Sequence, residues 1–178
     1  METDFNFSGN ISSINKDQFD LMINENDSPF INYDFLRALE ESSSVSEISG
    51  WKPNHLVSIE DKKLNGFMPL YLKDNSQGEF VFDHSWSYAL NRAGRKYYPK
   101  LLTAIPFTPC KTRKIISPKS NNFIDAVINF MEEKSIETWH VLFPEKEESK
   151  NLLEKGLIER SGHKLSLIHI SEPTRRST

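Results

Sequence analysis

The chain holds one cysteine, Cys110, among 178 residues, and that scarcity excludes an intrachain disulfide and a cysteine-rich metal knot. Glycine is also sparse, with seven in the chain, and no glycine-rich loop precedes a helix, so a backbone cradle for a pyrophosphate is missing. Long apolar runs are lacking too. Stretches such as 101–107 fall far short of the roughly 20 residues needed to cross a bilayer. Charge of one sign is absent as a field: 22 basic and 25 acidic residues are interspersed, for a net charge of −3, which leaves nothing to hold a nucleic-acid backbone. The N-terminus carries Glu2 and Asp4 where a secretory signal would be basic, and no apolar segment follows, so a cytoplasmic location is expected. The five histidines are scattered, without an i, i+4 pair to place two ligands on one helix face, and no metal site is expected.

Aromatic and ionisable residues are dense in one stretch, Gly78 to Pro109. Phe80, Phe82, Trp86, Tyr88, Tyr97, Tyr98 and Phe107 are interleaved there with Asp83, His84, Arg92, Arg95, Lys96 and Lys100. Rings supply rigid apolar walls and a few polar groups orient a ligand, so the mixture suits a concave site; the alternative is that the rings fill the core.

Periodicity predicts an opening strand at Phe5–Ile14 and a helix at Asn15–Asn24. A second helix, Tyr33–Glu41, follows Asn32 as N-cap. A Ser-rich loop precedes strands at His55–Glu60, Phe67–Lys73 and Glu79–Asp83, which read as an antiparallel meander. Lys62 and Lys63 are placed in the first turn, although Asn65-Gly66 is itself a turn signal and Pro69 removes a ladder donor. Then come a short helix at Ser85–Ala93, a buried strand at Leu101–Ile105, a short strand at Lys114–Ile116 and a strong helix opening at Ser120 or Asn121. A strand at Thr138–Phe143, a helix at Glu145–Lys155 and the start of a last strand at Leu157 complete the series. This is an α/β chain with a mixed sheet and helices on both faces, and its element order resembles the GNAT layout.

Several segments, in order, resemble the FemAB-like proteins of peptidoglycan biosynthesis or recognition, placed in the acyl-CoA N-acyltransferase superfamily. They are Gly50-Trp51-Lys52-Pro53-Asn54-His55-Leu56, Pro69-Leu70-Tyr71-Leu72-Lys73, Gly78-Glu79-Phe80-Val81-Phe82-Asp83 with Trp86, Tyr97-Tyr98-Pro99-Lys100-Leu101, Pro106-Phe107-Thr108-Pro109 and His140-Val141-Leu142-Phe143. The resemblance covers roughly Pro29 to Lys164. It implies a tandem-GNAT protein about twice this length, of which residues 1–164 form an incomplete first half, with a second GNAT domain as the missing partner. It also implies an acyl or aminoacyl transferase with acyl-CoA or aminoacyl-tRNA as donor and a peptidoglycan precursor or similar amine as acceptor. A recognition module without catalysis is the alternative, consistent with the missing pyrophosphate loop. Residues 165–175, LSLIHISEPTR, resemble a translated sequencing adapter, so 165–178 is expected to be an artefactual tail and the fragment inactive and poorly soluble alone.

For acyl transfer to an amine, a base and oxyanion donors are needed. Asp83 and His84 are the candidates for base and orienter; otherwise Asp83 caps the next turn and His84 is packed. Tyr97, Tyr98 and Lys100, with Trp86 and Thr108, are the candidates for binding an acceptor, Tyr97, Tyr98 and Lys100 through its carboxylate or phosphate. The residues 78–109 are expected to form one concave wall on which Asp83, His84, Tyr97, Tyr98 and Lys100 converge.

Overall fold

A computed structural model describes residues 3–81 and 83–161. Phe82 and the tail 165–178 lie outside the described residues. The chain is α/β, with two sheets sharing one long hairpin. The strands are β1 (Asp4–Ser8), β2 (Lys52–Pro53), β3 (His55–Glu60), β4 (Lys63–Met68), β5 (Tyr71–Lys73), β6 (Lys100–Thr103) and β7 (Trp139–Val141). The helices are α1 (Lys16–Asp20), α2 (Tyr33–Glu41), α3 (His84–Arg92), α4 (Ser120–Lys134) and α5 (Lys146–Glu154).

One sheet has the order β1-β3-β4, the other β2-β5-β6-β7, antiparallel except for the parallel β6–β7 pair. The stretch read from sequence as one strand, Phe67–Lys73, is the end of β4 and all of β5, which belong to different sheets. Pro69 has no N–H for the ladder, and the break falls there. Asn54 N donates to Leu70 O at 2.8 Å and carries the pairing across the break. The turn of the hairpin is at Asp61 and Lys62, both at positive φ, as a type I′ turn requires. Asn65-Gly66 is a register irregularity inside β4. Gly66 is needed there, because a Cβ would stand 2.7 Å from the Phe123 ring and from Ser58 Oγ.

Local signals set several elements. Asn32 Oδ1 accepts from Phe35 N at 2.7 Å and starts α2 where the cap pattern places it. Asn15 caps α1 in the same way through Gln18 N, at 2.9 Å. The apolar stripe of α4 buries Phe123, Ile124 and Val127. Along β3, Leu56 faces a core with Met68, Phe123, Val127 and Leu152, whereas Val57 faces Phe19, Tyr33, Leu36 and Phe67. Alternation therefore puts α1 and α2 on one face and α4 and α5 on the other. Glu40 ties α2 to β3 and to the segment after β1: its carboxylate pairs with His55 Nε2 and accepts from Ile11 N, each at 2.8 Å.

Three expected strands do not form. Glu79–Asp83 is not a strand in its described residues, with Phe80 at φ +57, so the meander ends at β5. Lys114–Ile116 contributes one isolated bridge, between Ile116 and Phe67, and Leu157–Glu159 is irregular. In each the apolar residues are satisfied by packing or exposure rather than by a ladder: Ile115 and Ile116 are buried against α4 and α1, and Ile158 is exposed.

Candidate functional site

Two lysines organise the site. Lys73 on β5 and Lys100 on β6 are register partners, and both side chains are 0% exposed. Like charges directly opposite on a ladder destabilise it unless something neutralises them. The loop 74–81 does this by folding back over the strand ends. Gly78 makes the fold-back possible at φ +77, where a Cβ would sit 2.5 Å from the Phe107 ring. Glu79 then comes between the lysines, with Oε2 at 2.9 Å from Lys100 Nζ and Oε1 at 4.0 Å from Lys73 Nζ. Lys73 also donates to Gln77 O at 3.0 Å and lies 3.9 Å over the Trp51 ring, a cation–π contact.

Asp83, at the entrance to α3, turns its carboxylate inward and makes no side-chain capping bond. Its Oδ2 accepts from Lys100 Nζ at 2.5 Å, Tyr97 Oη at 2.6 Å and Ser76 Oγ at 2.8 Å. Burial by itself pushes this carboxyl up, but the donors from Lys100, Tyr97 and Ser76 outweigh it and hold the group at about 2. Glu79 moves the other way, because burial dominates over the pull of Lys100 and Lys73. Lys73 is lowered to about 8, by burial first, against the pull of Glu79. His140 on β7 meets Tyr97 Oη at 3.3 Å, and burial together with the Lys100 charge lowers it to about 4, so its ring is neutral at pH 7. Burial and the hydrogen bond to Asp83 push the Tyr97 phenol up.

Glu79, Asp83 and His140 bring three ligand atoms within 4.8 Å of one another, a set able to hold a metal ion. Tertiary contact assembles what sequence spacing does not show. The Lys100 ammonium already lies against both carboxylates of that set, so a divalent ion there would have to displace it.

Outside this wall lies a cleft of about 430 Å³ lined by Asp74, Asn75, Ser76, Gln77, Gly78, Phe80, Val81, His84 and Tyr98. The sequence candidates thus divide. Asp83, Tyr97, Tyr98 and Lys100 come together, Tyr98 through its 2.7 Å contact with Ser76 Oγ. His84 lines the cleft from the exposed first turn of α3 and makes no bond with Asp83 among the described residues. Lys100 is sealed in, and its three N–H groups are spent on Ser76, Glu79 and Asp83, leaving none for a ligand carboxylate or phosphate. Trp86 lies beside Arg160, 4.2 Å from its guanidinium, and Thr108 donates to Pro106 O at 3.0 Å within its own turn. Lys73, Ser76, Glu79 and His140 were not among the candidates. The Lys73 signal was there: a lysine two residues from buried Tyr71 on one strand shares its face.

A family model described as peptidoglycan biosynthesis/recognition, FemAB-like, matches residues 10–170. The chain belongs to the FemAB-like family. A peptidoglycan-related function goes with that membership. No curated protein and no solved structure matches the chain. Among the described residues no helix is long and apolar enough to cross a membrane.

Proposed function

We propose that this FemAB-like chain recognises a peptidoglycan precursor in the cleft formed by loop 74–81, the start of α3 and Tyr98. The observation that carries this reading is the state of Asp83: three donors converge on one oxygen and hold the carboxyl at about 2, so Asp83, the sequence's candidate base, is a poor proton acceptor near neutral pH. What faces the cleft is an exposed ring, Phe80, beside amide, hydroxyl and carboxylate groups. Such a surface suits stacking on a sugar face and hydrogen bonding to a peptide or glycan.

A second reading keeps the N-acyl or aminoacyl transfer that the GNAT-like element order implies, with acyl-CoA or aminoacyl-tRNA as donor. His84 favours it, as an imidazole on the cleft rim positioned to take a proton from an acceptor amine. In that case the first half of a tandem protein supplies the acceptor site. Titration calorimetry with a soluble muramyl pentapeptide, an acyl-CoA and a charged tRNA separates the two. Recognition alone gives muramyl-peptide binding that Phe80→Ala weakens about tenfold, with no donor binding. Donor binding, together with acyl transfer that His84→Gln abolishes, establishes the second. Failure of the muramyl peptide to bind defeats the recognition reading.

A further inference from the structure

We infer that Ser76 fixes the proton of Tyr98 inward, so that the tyrosine presents only a hydrogen-bond acceptor to the cleft, which thereby selects donor groups such as amines or hydroxyls over carboxylates and phosphates. The inference rests on the recognition reading and names the chemistry of the ligand group that this wall accepts.

Lys100 has three N–H donors, directed to Ser76 Oγ at 2.7 Å, Glu79 Oε2 at 2.9 Å and Asp83 Oδ2 at 2.5 Å. Ser76 Oγ therefore receives a proton from Lys100 and has one of its own to give. Two oxygens stand near it: Asp83 Oδ2 at 2.8 Å and Tyr98 Oη at 2.7 Å. A carboxylate oxygen carries no proton here, so if Ser76 donated to Tyr98, it would face Asp83 across 2.8 Å with no hydrogen between them. Ser76 donates to Asp83, and Tyr98 must then donate to Ser76. The Tyr98 hydroxyl has no second proton, and lone pairs are all it can offer a ligand. The charge of the cleft points the same way. Its lining includes the Asp74 carboxylate and no lysine or arginine, because Lys73 and Lys100 are buried and committed behind it. At the Tyr98 hydroxyl a ligand carboxylate or phosphate would meet lone pairs, with Asp74 a like charge on the same lining, so the donors of Asn75, Gln77 and His84 elsewhere on the lining do not serve it there, whereas an amine would meet a partner for its proton.

Ser76 is thus a positioning residue that acts through Tyr98. The test uses the full chain with labelled tyrosine rings. Nuclear magnetic resonance is expected to show a Tyr98 hydroxyl proton protected from exchange, absent in Tyr98→Phe, lost in Ser76→Ala and kept in Ser76→Thr. The same proteins are titrated with a muramyl pentapeptide carrying a free side-chain amine and with that peptide succinylated, which replaces the amine by a carboxylate. The native chain is expected to prefer the amine about tenfold, and Ser76→Ala to narrow this to within about threefold, while Ser76→Thr retains it. A freely exchanging Tyr98 hydroxyl in the native chain overturns the proton assignment, and equal affinity for the two peptides overturns the selectivity. If neither peptide binds, the recognition reading and the selectivity fall together, whereas a protected hydroxyl still upholds the link from Ser76 to Tyr98.

Discussion

Lys100 and Lys114 are both buried to within 1% of full enclosure, and the protein accommodates them by opposite means. Around Lys100 the compensation is ionic: two carboxylates within 2.9 Å, with Lys73 on the neighbouring strand and Tyr97, Ser76 and His140 completing the network. Around Lys114 it is dipolar. Its ammonium donates to the carbonyls of Cys110, Thr112 and Phe143 at 3.4, 2.8 and 3.1 Å, and no carboxylate lies within ion-pair distance among the described residues. Burial lowers Lys114 to about 8 against the weaker pull of Glu148. Glu148 instead accepts from the backbone N–H groups of Lys114 and Ile115, at 2.8 and 2.7 Å, and pins α5 to the 110–116 loop. The first lysine sits one hydroxyl, that of Ser76, from a cleft; the second joins elements and reaches no described cavity. Buried charge placed against charge builds a wall with defined proton positions, and buried charge placed against carbonyls ties a loop.

The two lysines differ most when each is removed, and loss of Lys100 is expected to cost more. Lys100→Met leaves Glu79 and Asp83 buried and facing each other, and is expected to cost about 3–5 kcal/mol in a urea titration, with partial recovery when Asp83→Asn is added. Lys114→Met removes the donor to three carbonyls but strands no carboxylate, so about 1–3 kcal/mol is expected. An equal loss in both variants would erase the distinction. Gly66→Ala, away from either lysine, is a control for packing alone: the added methyl must displace the Phe123 ring, at about 1–3 kcal/mol.

The smallest effects are in pH dependence. Lys114 has a folded value below its ordinary one, so between about 8 and 10.5 the unfolded chain binds more protons and stability rises with pH. Lys73 acts in the same window and direction. Lys114→Met should flatten part of that slope. On the acid side His140 loses stability as pH falls from 6.5 toward about 4, because the unfolded imidazole takes the proton first. Asp83 continues the loss from 3.8 toward about 2, whereas Glu79, raised by burial, works in the opposite sense just above 4.5. Chemical denaturation at stepped pH should show the upper acid limb diminished in His140→Gln, and an unchanged limb would remove His140 from the network.

Much of the fold was legible because it rests on short-range forces. The bounds of α2 follow from Asn32 and its cap bond, β3 from alternation beginning at His55, and α4 from an apolar stripe, each an interaction within a few residues. The density of rings and charges in 78–109 marked the neighbourhood of the cleft for the same local reason. Tertiary structure decided the rest. Pro69 was visible as a missing donor, but only packing on both faces determined that the ladder would divide there into two sheets. Asp83 could have capped α3; its carboxylate turns inward because Lys100, seventeen residues on, needs it. Glu79 is drawn between Lys73 and Lys100 by a ladder pairing that neither local sequence contains, and His140 arrives on a parallel strand from still farther along the chain. A buried charge is satisfied by whichever partner the fold brings near, so its role is a property of the assembled chain, whereas a cap or a period is complete within its own turn.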